Sequence, residues 1–138
     1  MSLCKTSGRA VIAALSLVGG TTGSAHAQCY LLGCATEWSN GRIINLGGLL
    51  GSKQSFAWSI NDAGQVVGVS YANSFISATE WSNGRIINLG GLMGGFSVAS
   101  AINDAGEAVG VSNVGKTSVS SAVEWSGGSI INLGALRG

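Results

Sequence analysis

Proline is absent from the 138 residues, and only 9% of them are charged, against roughly 25% in an ordinary soluble domain. The first absence removes polyproline linkers and proline-set turns, so bends fall to asparagine and to the 23 glycines. The second, with a formal net charge of +1, leaves no electrostatic footprint for nucleic acid or an acidic lipid surface. Histidine occurs once, at His26. A chain that loses that residue cannot build a Ser-His-Asp triad, a Cys-His pair or a His-rich metal site. Apolar runs are short as well: the longest, residues 10–19, is about half of the ~20 residues that cross a bilayer, so no membrane span is expected.

What is present falls into two parts. Residues 1–27 read as a cleavable signal peptide, with Lys5 and Arg9 as the basic region, residues 10–19 as an apolar helix, and Ala25-His26-Ala27 as a small-x-small cut site before Gln28. Cleavage after Ala27 leaves residues 28–138, with five bases (Arg42, Lys53, Arg85, Lys116, Arg137) against six acids (Glu37, Asp62, Glu80, Asp104, Glu107, Glu124) and no histidine. The expected location is therefore secreted, periplasmic or at the cell surface. Cys29 and Cys34 remain in that part, and a disulfide between them is expected in an oxidising compartment. Leu31-Leu32-Gly33-Cys34 also has the look of a lipid-attachment box, but the polar residues 21–28 separate it from the apolar region.

The second part repeats itself. Residues 35–49 return unchanged at 78–92, and an edited third copy begins at Ala122. Trp38, Trp81 and Trp125 are 43 and 44 residues apart, a period that in β-rich chains points to propeller blades or a related array. Asn40-Gly41 and Asn83-Gly84 carry the strongest hairpin signal, since both positions tolerate positive φ. Asn61-Asp62-Ala63-Gly64 and Asn103-Asp104-Ala105-Gly106 suit a type I turn closed by a left-handed Gly.

Between these turns the alternation of side chains predicts four strands per copy. Trp38, Ile44, Leu46, Phe56 and Ile60 are expected in the core, with Trp81, Ile87, Leu89, Phe96, Ile102 and Trp125 as their counterparts. The fold class expected is all-β: antiparallel four-stranded repeat units forming an incomplete β-propeller-like array behind an N-terminal signal helix. The repeats span 35–77 and 78–121, with a partial third at 122–138 that lacks its last two strands. The links at 71–77 and 113–121 vary in length, which marks exposed loops between units.

Chemistry-bearing motifs are few. Residues 110–117, G-V-S-N-V-G-K-T, match a phosphate-binding loop letter for letter. The following T-S-V-S-S-A-V has no helical period, so no helix N-terminus would face a phosphate, and no nucleotide is expected. Glu37, Glu80 and Glu124 share one repeat position and would line a common face, where paired carboxylates could serve glycoside hydrolysis. The plainer reading is a solvated residue opposite the buried Trp. Asp62 and Asp104 each offer one carboxylate, whereas calcium wants six to eight oxygens, so they read as turn residues. The tryptophans at the repeat position read as core anchors, while Trp58, replaced by Ser100 in the second copy, is the candidate for a surface platform.

The pattern A-x-x-W-x-x-G-x-I-x-x-L-G-x-L-x-G followed by A-x-x-I-N-D-A-G-x-x-V-G-x-S resembles the bacterial HAF repeat. The resemblance covers residues 34–138 and is most specific at residues 60–64 with Val67-Gly68 and at residues 102–106 with Val109-Gly110. The family's His-Ala-Phe tripeptide is altered to Cys34-Ala35-Thr36, Ser77-Ala78-Thr79 and Ser121-Ala122-Val123. What the resemblance implies is export, repetition and a blade-like β fold, with no catalytic residues to carry over. The function expected is thus a non-enzymatic exported module that binds or builds a surface layer, without cofactor or metal, and self-associating through open β edges. The alternatives are an exported hydrolase using the repeat carboxylates, or a fragment of a longer array.

Overall fold

A computed structural model of the chain describes residues 33–134, together with the backbone of two short strands nearer the N-terminus. The described residues are all-β, with a single 3-10 turn at Leu92–Gly94 and no α-helix. The strands, in chain order, are β1 (Cys4–Thr6), β2 (Arg9–Leu15), β3 (Cys34–Ser39), β4 (Arg42–Gly47), β5 (Gln54–Ile60), β6 (Val66–Tyr71), β7 (Ile76–Ser82), β8 (Arg85–Asn88), β9 (Ser97–Ile102), β10 (Ala108–Asn113), β11 (Ser120–Ser126) and β12 (Ser129–Gly134). They form three antiparallel sheets: β3 and β4 extended by β2 and β1, then β5-β6-β7-β8, then β9-β10-β11-β12.

The turns follow from the dihedral freedom of their residues. Asn40 and Gly41 take φ of 50° and 73°, and Asn83 and Gly84 take 50° and 72°. Two successive positive values define the type I′ turn, whose twist matches that of the strands it joins. Gly127-Gly128 does the same at 56° and 80° between β11 and β12. In the Asn-Asp-Ala-Gly turns, Gly64 N–H bonds Asn61 O at 3.0 Å and Gly106 N–H bonds Asn103 O at 3.0 Å, with Gly64 and Gly106 at φ near 80°.

The sequence copy and the sheet are out of phase. The second and third sheets each take their first two strands from the end of one copy and their last two from the start of the next. Residues 72–75 and 114–119, expected as loops between units, are tight connections inside a sheet, the first closed by Ala72 N–H on Phe75 O at 2.8 Å. Residues 48–53 and 89–96 instead carry the chain from one sheet to the next. Their glycines explain this: a change of layer needs backbone that a pleated strand cannot supply. The third copy therefore ends with a sheet complete, because β11 and β12 finish the sheet begun by β9 and β10.

Near the N-terminus the expected signal helix is not what the described backbone shows. β2 pairs antiparallel with β3, Ala10 opposite Trp38 and Ile12 opposite Thr36, and β1 pairs with β2. The β-branched Val11-Ile12 pair suits a strand better than a helix, and β3 offers it an open edge. Cys29 and the cut site after Ala27 lie outside the described residues.

The core lies between the sheets. Ala35 and Leu46 of the first sheet pack with Ala57, Ile60, Val66, Trp81 and Ile86 of the second. Val67, Ala78 and Leu89 on the other side of the second sheet pack with Ala99, Ala108, Val123, Trp125, Ile102 and Ile130 of the third. Val66 and Val67 thus face opposite layers, and β6 is buried along nearly all its length, as expected of a strand covered on both faces.

Several residues expected inside are not there. Trp38 is 43% exposed, because no described layer covers its side of the first sheet. Ile44 and Ile87 are exposed on the margin strands β4 and β8, where the neighbouring sheet covers only part of each side chain. Phe96 is also exposed. It stands just ahead of β9, and the structural counterpart of Phe56 is Val98, which pairs with Val111 as Phe56 pairs with Val69. Leu46, Phe56, Leu89 and Ile102 are half-buried, whereas Ile60, Trp81 and Trp125 are buried.

The alternation through Phe56, Trp58 and Ile60 is broken at Trp58. Ala57 pairs with Gly68 and Ser59 with Val67, leaving Trp58 as an extra residue that bulges outward. Ser100 is the extra residue between Ala99 and Ala101 in β9. The bulge brings backbone close to Gly68 and Gly110, where an added Cβ would meet the carbonyl oxygens of Phe56 and Val98. Gly68→Ala and Gly110→Ala are therefore expected to cost about 2 to 3 kcal/mol each in urea unfolding, as overpacked interior sites do. A loss below about 0.5 kcal/mol would mean that the bulge is not rigid.

Candidate functional site

Polar groups are placed in series, one set per layer. Ser55 Oγ accepts from Ala35 N–H at 2.9 Å and donates to Gly47 O at 2.5 Å. One copy later, Ser97 Oγ accepts from Ala78 N–H at 3.0 Å. Ser70 Oγ accepts from Leu49 N–H at 3.2 Å, and Ser112 Oγ from Leu92 N–H at 2.8 Å. These serines are buried, and each satisfies backbone that the chain leaves unpaired as it changes layer.

The Asn-Asp-Ala-Gly turns form a second series. Asn61 Oδ1 accepts from Gln65 N–H at 2.9 Å, and its Nδ2 donates to Gln65 Oε1 at 2.8 Å and to Asn103 O at 2.9 Å. Asp62 N–H donates to Asp104 Oδ1 at 3.0 Å. The two turns are thus clasped to each other across the layers. Asp104 spends a carboxylate oxygen on that clasp, and no group of three or more His, Cys, Asp or Glu suited to a metal ion occurs among the described residues.

The three glutamates do not share a face. Glu37 is buried and lines the layer between the first and second sheets. Glu80, opposite Val67 on β6, points into the layer between the second and third sheets and accepts from Gln65 Nε2 at 3.0 Å. Glu124, opposite Val109, stands on the outer side of the third sheet. Each is divided from the next by a whole sheet, because the repeat advances one layer per copy.

Among the described residues, two clefts open between layers. One, of about 260 Å³, is lined by Glu37, Ile44, Leu46, Trp81, Arg85 and Ile86 among others. Trp81 Nε1 is buried there without a hydrogen-bond partner, whereas its counterpart Trp125 Nε1 donates to Gly90 O at 3.2 Å. The equivalent carbonyl in the first layer, that of Gly47, is occupied by Ser55. The other cleft, of about 440 Å³, lies among Leu49, Leu50, Phe75, Asn88 and Phe96. Leu50 and Met93 hold the same place in successive layer-changing links and are 89% and 86% exposed. Met93 is held in the left-handed region at φ 50°, beside the bonds from Gly95 N–H and Gly115 N–H to Leu92 O. These loop tips escaped the sequence reading, although the copied triplets Leu49-Leu50-Gly51 and Leu92-Met93-Gly94 were a visible signal.

The phosphate-loop match has no helix behind it. Residues 110–113 belong to β10, Thr117 Oγ1 donates to Val114 O at 2.7 Å, and the chain continues into β11. Trp58 is on the surface, 38% exposed, and Cys34 is buried. Comparison with protein-family models, with curated proteins and with solved structures finds no match.

The clasp separates two otherwise identical motifs. The Asn61 side chain is 2% exposed and bonds across layers, while the Asn103 side chain is exposed and bonds only within its own turn, donating to Glu107 Oε2 and accepting from Glu107 N–H. Asn61→Ala is expected to cost about 2 kcal/mol and Asn103→Ala about 1 kcal/mol or less, measured by urea unfolding. Equal losses would mean that the layers are not clasped at these turns.

Proposed function

We propose that this chain is an exported, non-enzymatic repeat module of HAF type, with propeller-like stacking, that binds a partner or builds a surface layer through its loop tips. One observation carries the reading. The polar side chains set between the layers, the four serines with Asn61 and Asp104, are used in holding the stack, whereas Leu50 and Met93 stand almost fully exposed at equivalent tips. A row of identical contacts gains from avidity, while a catalytic site needs one asymmetric constellation.

The hydrolase alternative is less well supported. Packed sheets lie about 10 Å apart, and glycosidase carboxylate pairs about 5 to 9.5 Å, so glutamates in successive layers are poorly spaced. Their substitution is expected to remove no activity: the triple variant Glu37→Gln, Glu80→Gln, Glu124→Gln should match the parent in a hydrolase screen. A parental activity lost in the triple variant would overturn the non-enzymatic reading.

Export rests on the three-part N-terminus of residues 1–27. The expected product is a chain beginning at Gln28, recovered outside the cytoplasm and identified by intact mass. Since β1 and β2 belong to the removed part, that product must hold its second and third sheets without them, and its β-type circular dichroism should persist. An uncut chain confined to the cytoplasm, or unfolding on removal of residues 1–27, would overturn export.

A further inference from the structure

The stack contains a contact that is used twice and left half-made at each end. Trp81 is buried in the cluster that includes Ala35 and Leu46 of the preceding sheet. Trp125 is buried in the cluster that includes Ala78 and Leu89 of the preceding sheet. Each indole thus plugs a socket made by an alanine and a leucine that recur at the same place in every copy. The third socket, Ala122 and Leu133, is on the outer side of the third sheet, with Leu133 55% exposed. The remaining plug, Trp38, is on the outer side of the first sheet and 43% exposed.

The surroundings of the socket repeat as well. Val67 and Val69 are fully buried where the third sheet covers them, and their counterparts Val109 and Val111 are 41% and 45% exposed. Beside the plug, Ile43 pairs with Trp38 as Ile86 pairs with Trp81, and Ile43 is likewise exposed. The two outer faces are therefore the two halves of an interface that the chain already makes internally between its own sheets.

We propose that a second copy of this chain docks head to tail, its Trp38 entering the Ala122–Leu133 socket of the first. The contact joins unlike surfaces, so it either closes a ring or runs on as a filament. Two copies bring six sheets, within the four to eight of closed propellers, and the ring of two is the assembly expected. The partner is thus met at sheet faces rather than at the open strand edges that the sequence suggested. The inference stands apart from the exported-module reading, since Trp38 and Ile43 lie on β3 and β4, which remain whether or not residues 1–27, and with them β1 and β2, are removed.

The test is sedimentation velocity on the chain as isolated, with its N-terminus read by intact mass. The parent should be a dimer, and Trp38→Ser and Leu133→Lys should each be monomeric, with the dissociation constant raised at least about thirtyfold, as for interface anchors. Mixed one to one, the two variants should form a heterodimer and nothing larger, because each keeps the half that the other has lost. Both positions are exposed in the monomer, and Ile43→Lys and Val111→Lys serve as a second pair should either first variant misfold. A parent that stays monomeric at high concentration, association that survives Trp38→Ser, or a mixture that stays monomeric would each overturn the proposal.

Discussion

Where the chain leaves one sheet for the next, the departing link and the strand beside which it departs both carry backbone N–H groups that buried serine hydroxyls pair. Ser55 and Ser97 receive Ala35 and Ala78, and Ser70 and Ser112 receive Leu49 and Leu92. A buried amide left unpaired costs about 1 to 3 kcal/mol, comparable with the burial of a valine. The serines are therefore as necessary to the stack as its apolar core. They also account for a polar interior in a chain so poor in charge: hydroxyls satisfy backbone at short range without the desolvation that a carboxylate or ammonium would bring.

The same serines explain why the copy in sequence and the sheet in space are offset. A hydroxyl at the start of β5 or β9 holds the first strand of a copy from across the layer, so the segment between them acts as a hinge of fixed length. Pairing within the sheet then recruits the following copy: β6 takes β7, and β10 takes β11. β2 stands beside β3 in the place that β6 has beside β7. The cooperative element is the sheet with its two faces, not the stretch of letters that repeats.

Much of this was legible in the sequence, and what was not has a common cause. The Asn-Gly and Asn-Asp-Ala-Gly turns could be read because turn chemistry is local: it depends on which residues accept positive φ. The strands could be read for the same reason. Burial is not local. Trp38, Trp81 and Trp125 sit in near-identical letters, yet Trp38 is exposed and the other two are buried, because only those two have a sheet laid over them. The bulges at Trp58 and Ser100 were hidden too, since a strict alternation of letters carries no mark of an extra residue except the glycine opposite. Among possible site residues, the glutamates looked like one row and proved to be one per layer. A repeat period gives the spacing along the chain and says nothing of which way the stack advances.

Near-identity between copies has a physical consequence of its own. In a stack whose layers differ, each interface can be tuned to its own partner and closed against others, which takes unlike surfaces or a repulsive element. Here the face that receives one layer is almost the face that receives the next, and with 9% charged residues there is little to repel a wrong neighbour. Among the described residues, two polar features tell the inner layer from the outer one. Ser59 Oγ accepts from Ile102 N–H across the second layer at 3.3 Å, whereas the corresponding position in the third sheet is Ala101, which has no oxygen to offer. Asn61 likewise reaches across to Asn103, whose own amide turns back to Glu107. The outer face of the third sheet thus keeps the apolar half of the recurring interface and lacks part of its hydrogen bonding. A layer added there gains from burial more than from polar register, which makes that junction weaker and more easily exchanged than those inside the chain.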